Sequence, residues 1–209
     1  LRVGALLRER MVPSVTTLFA RRHPGHDRLL WHLYVPVRQR LVMRRVATVE
    51  STDEIDIALL TTHGLYSIEV KSLYSSIEVR LDNCKDAYCV TATPVGQDGQ
   101  LLTNGITIDM GVAQNTAHVR ALRTELDGLV SPQSIFNVTT YANQCGFEMH
   151  APQGFRYAYV TTTSDCPENI VEVICRIEQK VAACWTNAEV DVLAERLAIS
   201  YTDSDGSKQ

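Results

Sequence analysis

Glu54-Ile-Asp-Ile-Ala-Leu-Leu-Thr-Thr-His-Gly-Leu-Tyr-Ser-Ile-Glu-Val-Lys71 reads as a strand, a tight turn at His63-Gly64 and a second strand. Ile55, Ile57 and Leu59 alternate with Asp56, Ala58 and Leu60, and beyond the turn Tyr66, Ile68 and Val70 alternate with Ser67, Glu69 and Lys71. Side chains on a strand alternate between its faces, so Glu69 and Lys71 share a face at roughly 7 Å along the strand. A hairpin sets Asp56 on the neighbouring strand, about 5 Å away. Two carboxylates and an amine then meet on an otherwise Ile/Leu/Val-rich sheet. Interior strands are near-continuously apolar, so polar residues among them need a reason.

A hard divalent cation and a phosphate ester supply one. Mg²⁺ takes oxygen ligands in near-octahedral geometry and keeps several waters, with one or two protein carboxylates. Asp56 and Glu69 are the candidate carboxylates, and the backbone carbonyl of Val70 a further oxygen. Lys71, a compact charge with three donors, is placed to contact the phosphate or orient the attacking water. The plain alternative for the same residues is a solvated strand face with a weak ion pair.

Beyond this hairpin, a helix is predicted from about Asp109 to Leu126, with Val112, Thr116, Val119, Leu122 and Leu126 as its buried stripe. Gln114 and His118 lie four apart and off that stripe. Ile135–Tyr141 and Phe155–Thr162 read as strands, and so do Leu29–Val37, Leu41–Val49, Ile77–Val79 and Tyr88–Ala92. Residues 3–22 read mainly helical, with His23-Pro-Gly25 as a stop. Ile170, Ile174, Ile177, Val181 and Cys184 form a helical stripe. A last helix over Thr186–Ala198 is capped by Thr186 or Asn187.

These segments resemble the PD-(D/E)xK nucleases, and more narrowly the nuclease-related domain (NERD) family. Glu54-Ile-Asp56, Thr61-Thr-His-Gly64 and Ile68-Glu-Val-Lys71 are similar to that family's central signature, and Ala113-Gln114 with the following helix is similar to its later Gln-bearing helix. Leu73-Tyr-Ser-Ser76 stands where the family places a Gly after the Lys. The resemblance implies an α/β fold, a restriction-endonuclease-like central mixed sheet flanked by helices, as one domain over 1–201 with a polar tail at 202–209. It implies a Mg²⁺- or Mn²⁺-dependent endonuclease hydrolysing DNA phosphodiesters, with RNA as an alternative substrate. Asp56 and Glu69 would hold metal, Lys71 would act on water and phosphate, and Gln114 would support Lys71 or the nucleophile. Glu9, on an early helix, would be an outer acid. The rival reading is a non-catalytic nucleic-acid-binding or scaffolding domain of a larger protein.

Composition bounds the rest. Net charge is −4, yet residues 1–50 hold ten Arg against three acids. Arg38, Arg40, Arg44 and Arg45 are the candidate nucleic-acid contacts, with solvated element edges as the plain alternative. No apolar run approaches the roughly 18 residues of a membrane span. Six cysteines contain no C-x-x-C pair, and Cys175 and Cys184 are expected as small core residues; a reducing cytoplasm is the expected compartment. His63 is expected to be an exposed turn residue. Leu1 rather than Met opens the chain, the pattern expected of a piece of a longer multidomain protein, and a homodimer is compatible with it.

Overall fold

The computed structural model describes residues 17–22, 29–34, 42–44, 47–48, 51–102, 104–142 and 144–199. Its centre is the predicted hairpin. Strands β6 (Ile57–Leu60) and β7 (Leu65–Ser72) pair antiparallel, with Ile57 opposite Ile68 and Leu60 opposite Leu65. Thr61 closes the turn: its amide donates to the Gly64 carbonyl at 2.9 Å, and its hydroxyl accepts from the amides of His63 and Gly64. A Cβ at Gly64 would stand 2.4 Å from the Phe136 ring, so only glycine lets the turn pack there.

Two mixed sheets form around this hairpin. The five-stranded sheet runs β13-β11-β7-β6-β3, from β13 (Ala158–Thr162) through β11 (Ile135–Ala142) to β3 (Val42–Arg44). Strands β7, β11 and β13 are parallel, while β6 and β3 are antiparallel to their neighbours. The four-stranded sheet runs β10-β9-β8-β12: β10 (Thr107–Asp109), β9 (Ala87–Pro94), β8 (Ser75–Asp82) and β12 (Gly146–Met149). Two further hairpin pairs are β1 (Thr17–Arg22) with β2 (Leu29–Tyr34), and β4 (Ala47–Thr48) with β5 (Ser51–Glu54).

Helices cover both faces of the five-stranded sheet. Helix α1 (Gly111–Glu125) and α3 (Asn187–Ile199) enclose one cluster, in which Ala58, Leu60, Leu65 and Ile135 meet Val119, Leu122, Val190 and Leu193. Helix α2 (Ile170–Lys180) closes the other face, where Ile57, Leu59, Tyr66, Ile68 and Val138 meet Ile170, Ile174 and Ile177. Each cluster takes one parity of β7, as strand alternation requires. Burying such side chains stabilises by roughly 1.5–3 kcal/mol each. The fold is therefore α/β, a mixed sheet between helices, compatible with the restriction-endonuclease-like arrangement. No helix of the described residues is long and apolar enough to cross a membrane.

Several expectations are corrected. Residues 17–22 are a strand paired with 29–34, not helix; Thr17 and Phe19 favour strands, and pairing across the His23-Pro-Gly25 stop overrides the helical spacing. The stretch 3–16 lies outside the described residues. The last parallel strand starts at Ala158 rather than Phe155, because Arg156 and Tyr157 take positive φ values of 51° and 61°. Helix α2 ends at Lys180, leaving Cys184 exposed instead of in the core and Cys175 half-buried. The chain leaves the helix to make backbone bonds from Cys184 and Trp185 to the Thr62 carbonyl. The last helix follows the expected cap, with Thr186 and Glu189 bonded reciprocally as a capping box.

Candidate active site

Glu69 lies on β7, the middle strand of its sheet, and is only 4% exposed. Extending the hairpin register by one step sets Asp56 opposite it. Asp56 is exposed, and its Oδ2 accepts the Val70 amide at 2.9 Å. That bond anchors the carboxylate at the mouth of the hairpin and leaves its second oxygen uncommitted to Val70. Of the Val70 backbone, the amide is the group shown in the site.

Lys71 donates to Gln114 Oε1 at 2.8 Å, and its Nζ stands 3.0 Å from Glu69 Oε1. Glu69 and Lys71, set on one face by strand alternation, and Gln114, which only the family resemblance implicated, thus form one chain of contacts, Glu69 to Lys71 to Gln114. Helix α1 is held over β7 by Asn115, whose amide donates to the Ser67 carbonyl, the Asn137 side chain and the Val138 carbonyl. Every one of these bonds is buried, so each adds more than a surface contact would.

Two residues escaped the sequence reading. Asp109, just before α1, accepts the Gly111 amide at 2.8 Å and the Tyr141 hydroxyl at 2.6 Å. Burial, reinforced by the facing Asp109 carboxylate, pushes the Tyr141 phenol far above its ordinary value, so the hydroxyl stays protonated and donates. His118, placed off the buried stripe by its spacing, is 1% exposed and sets Nδ1 3.7 Å from Glu69 Oε2. Neither residue carried a local sequence signal, because the partners lie far along the chain.

Burial raises the Glu69 carboxyl above the usual range; the Lys71 hydrogen bond opposes this, and the Asp56 charge adds to it. The metal-free fold therefore favours the neutral form more than the unfolded chain does. Such a group contributes stability below its unfolded value, about 4.3, and that contribution is lost as pH rises through the raised folded value. Glu69→Gln, which never ionises, is expected to melt above the parent in EDTA at about pH 8, and the two to converge by about pH 4. Each kcal/mol of relief is worth roughly 2–4 °C in a chain of this size. Parallel melts at both pH values check this; an unchanged difference between them would contradict the assignment.

The donor set fits a hard divalent cation. Glu69 Oε2 is buried and accepts no hydrogen bond, beside a second carboxylate one strand away. Asp56 and Glu69 make a two-carboxylate set, the number that Mg²⁺ takes while keeping its waters. Among the described residues no three His, Cys, Asp or Glu side chains close on one point, which disfavours a fully caged ion such as structural zinc.

Gly111 controls how close α1 comes to this cluster. A Cβ there would stand 2.9 Å from Lys71 Cε, 2.7 Å from Asp109 Oδ1 and 3.1 Å from Thr139 Cγ2. The ends of Lys71 and Asp109 are flexible, so Gly111→Ala is expected to displace the ammonium rather than unfold the chain. A displacement of about 1 Å costs on the order of 10²-fold in rate where a group acts by position. Single-turnover cleavage alongside a melting curve measures both effects. A large stability loss with unchanged rate would show that Gly111 serves packing only.

His63 is half-buried rather than exposed, its Nδ1 3.7 Å from Glu178 Oε2 at the far end of the hairpin. Thr61 and Tyr66 hydroxyls also donate to Glu178, so this polar group pins the turn to α2 and stands apart from Asp56 and Lys71. Glu9, Arg38, Arg40 and Arg45 lie outside the described residues, and Arg44 falls on β3. Comparison with protein-family models, with curated proteins and with solved structures returned no match.

Proposed function

We propose that this chain is a metal-dependent nuclease of the PD-(D/E)xK type, hydrolysing DNA phosphodiester bonds. The observation that carries the reading is the buried Glu69 carboxylate facing Asp56 across the hairpin while sharing Lys71 with Gln114. A solvated strand face would leave Glu69 in water; burying a carboxylate carries a desolvation cost even when one ammonium faces it.

In this reading Asp56 and Glu69 hold Mg²⁺ or Mn²⁺. When bound there, the cation would supply a water of lowered pKa and positive charge beside the scissile phosphate. Lys71 donates to a phosphate oxygen or to the attacking water, and Gln114 sets the direction of its ammonium by accepting one of its three protons. Asp109 adds negative potential beside Glu69 and, through the Gly111 amide, fixes where α1 begins. NERD-family membership is part of the same proposal, carried by the Asp56, Glu69, Lys71 and Gln114 constellation.

The test is incubation of the full chain with plasmid DNA in Mg²⁺, Mn²⁺ or EDTA. Cleavage with metal and none in EDTA is expected. Retarded mobility without cleavage in any metal would instead mark a non-catalytic nucleic-acid-binding domain. Binding should also weaken steeply with salt, by a slope of about −0.9 in log K for each duplex phosphate contacted. Reversing charge at Arg44 and Arg45 is expected to flatten that slope, read from binding isotherms at several salt concentrations. An unchanged slope would move the basic footprint away from these arginines.

A further inference from the structure

We propose that His118 is a positioning residue for Glu69, so that one face of α1 holds both functional residues of β7. This rests on the nuclease reading of the site. Two periodicities, one of the helix and one of the strand, set these contacts. Gln114 meets Lys71, and four residues later His118 meets Glu69, two residues earlier on the strand. Four helical residues advance about 6 Å and two strand residues about 6.6 Å. The helix and strand therefore stay in step over both contacts when they run antiparallel. Asn115, between them in sequence, locks the helix to the sheet through Ser67, Asn137 and Val138.

Each oxygen of Glu69 then has its own neighbour. Oε1 faces Lys71 at 3.0 Å, and Oε2 faces His118 Nδ1 at 3.7 Å. The second separation exceeds hydrogen-bond length, so the imidazole acts there as a polar wall of fixed position. With both sides bounded, the carboxylate plane is fixed before a cation arrives. Groups that orient a ligand from behind are typically worth 10–100-fold in metal affinity. His118 itself is 1% exposed and is screened from an incoming phosphate.

His118→Phe keeps a flat ring and removes both nitrogens, and His118→Asn puts a polar group back near the Nδ1 position. Each full-length variant is compared with the parent by Mn²⁺ calorimetry, melting, and single-turnover cleavage of a labelled duplex. For His118→Phe we expect Mn²⁺ binding weakened 10–100-fold, cleavage reduced in step at subsaturating Mn²⁺, and an unchanged half-saturating DNA concentration. His118→Asn should recover much of the metal affinity. If His118→Phe binds Mn²⁺ like the parent, or His118→Asn is no better than His118→Phe, the positioning role is overturned. If the parent itself neither binds Mn²⁺ nor cleaves, the nuclease reading fails instead. The His118–Glu69 contact is then decided by melting the His118→Phe, Glu69→Gln and double variants: non-additive shifts support positioning, additive shifts overturn it.

Discussion

Asp56→Ala and Glu69→Ala should each abolish Mg²⁺-dependent DNA cleavage while the fold survives. Asp56 is exposed, and the Val70 amide that loses its acceptor lies at an exposed position where water replaces the bond. Glu69 is buried, and its carboxyl is raised by that burial. Removing it relieves desolvation and the repulsion from Asp56, but it leaves Lys71 with one fewer partner and creates a small void. The net stability change should be within a few kcal/mol. The loss of activity should be complete, because either change removes one of the two carboxylates assigned to the cation. Circular dichroism and a melting curve report the fold, and plasmid nicking reports the activity. A variant that nicks DNA like the parent would exclude its residue from the metal site.

Lys71→Met gives the next largest effect and separates an enzyme from an inert scaffold. Methionine keeps the apolar stem and removes the ammonium, so Glu69 and Gln114 lose a shared donor. If Lys71 stabilises charge that grows on the phosphate in the transition state, turnover falls far more than substrate binding. Removing one such electrostatic contact costs about 10²–10³ in rate. Mn²⁺ affinity should be retained or slightly tightened, because a neighbouring positive charge is gone. Paired Mn²⁺ calorimetry and single-turnover kinetics read the two effects independently. Near-normal cleavage by the Met variant would remove Lys71 from catalysis, and an effect on DNA affinity alone would favour the scaffold.

The hairpin was legible because two local signals agree, alternation on both strands and the His63-Gly64 turn, and the structure closes that turn with the Thr61 hydroxyl. The α1 stripe was legible for the same reason, since Val112, Val119, Leu122 and Leu126 are buried as their spacing requires. The helix also buries a polar face, which an apolar stripe cannot reveal. Asn115 and His118 are fully enclosed because β7 presents Ser67 and Glu69 to them. Asp109 ends the short strand β10 and was read only as the start of a helix; its Tyr141 partner lies 32 residues away. The first hairpin was misread because a helical pattern over a short segment is cheap to satisfy by chance, whereas strand pairing is decided by a partner further along the chain. In each miss, a non-local contact outweighed the local pattern.

The central claim is that Asp56 and Glu69 form one divalent-cation site. Crystals of the full chain soaked in Mn²⁺, with data collected at the manganese absorption edge, test it most directly. The account requires an anomalous peak within bonding distance, about 2.0–2.3 Å, of oxygens from both Asp56 and Glu69, with waters completing the octahedron. Manganese bound elsewhere, with neither carboxylate coordinating it, would contradict it.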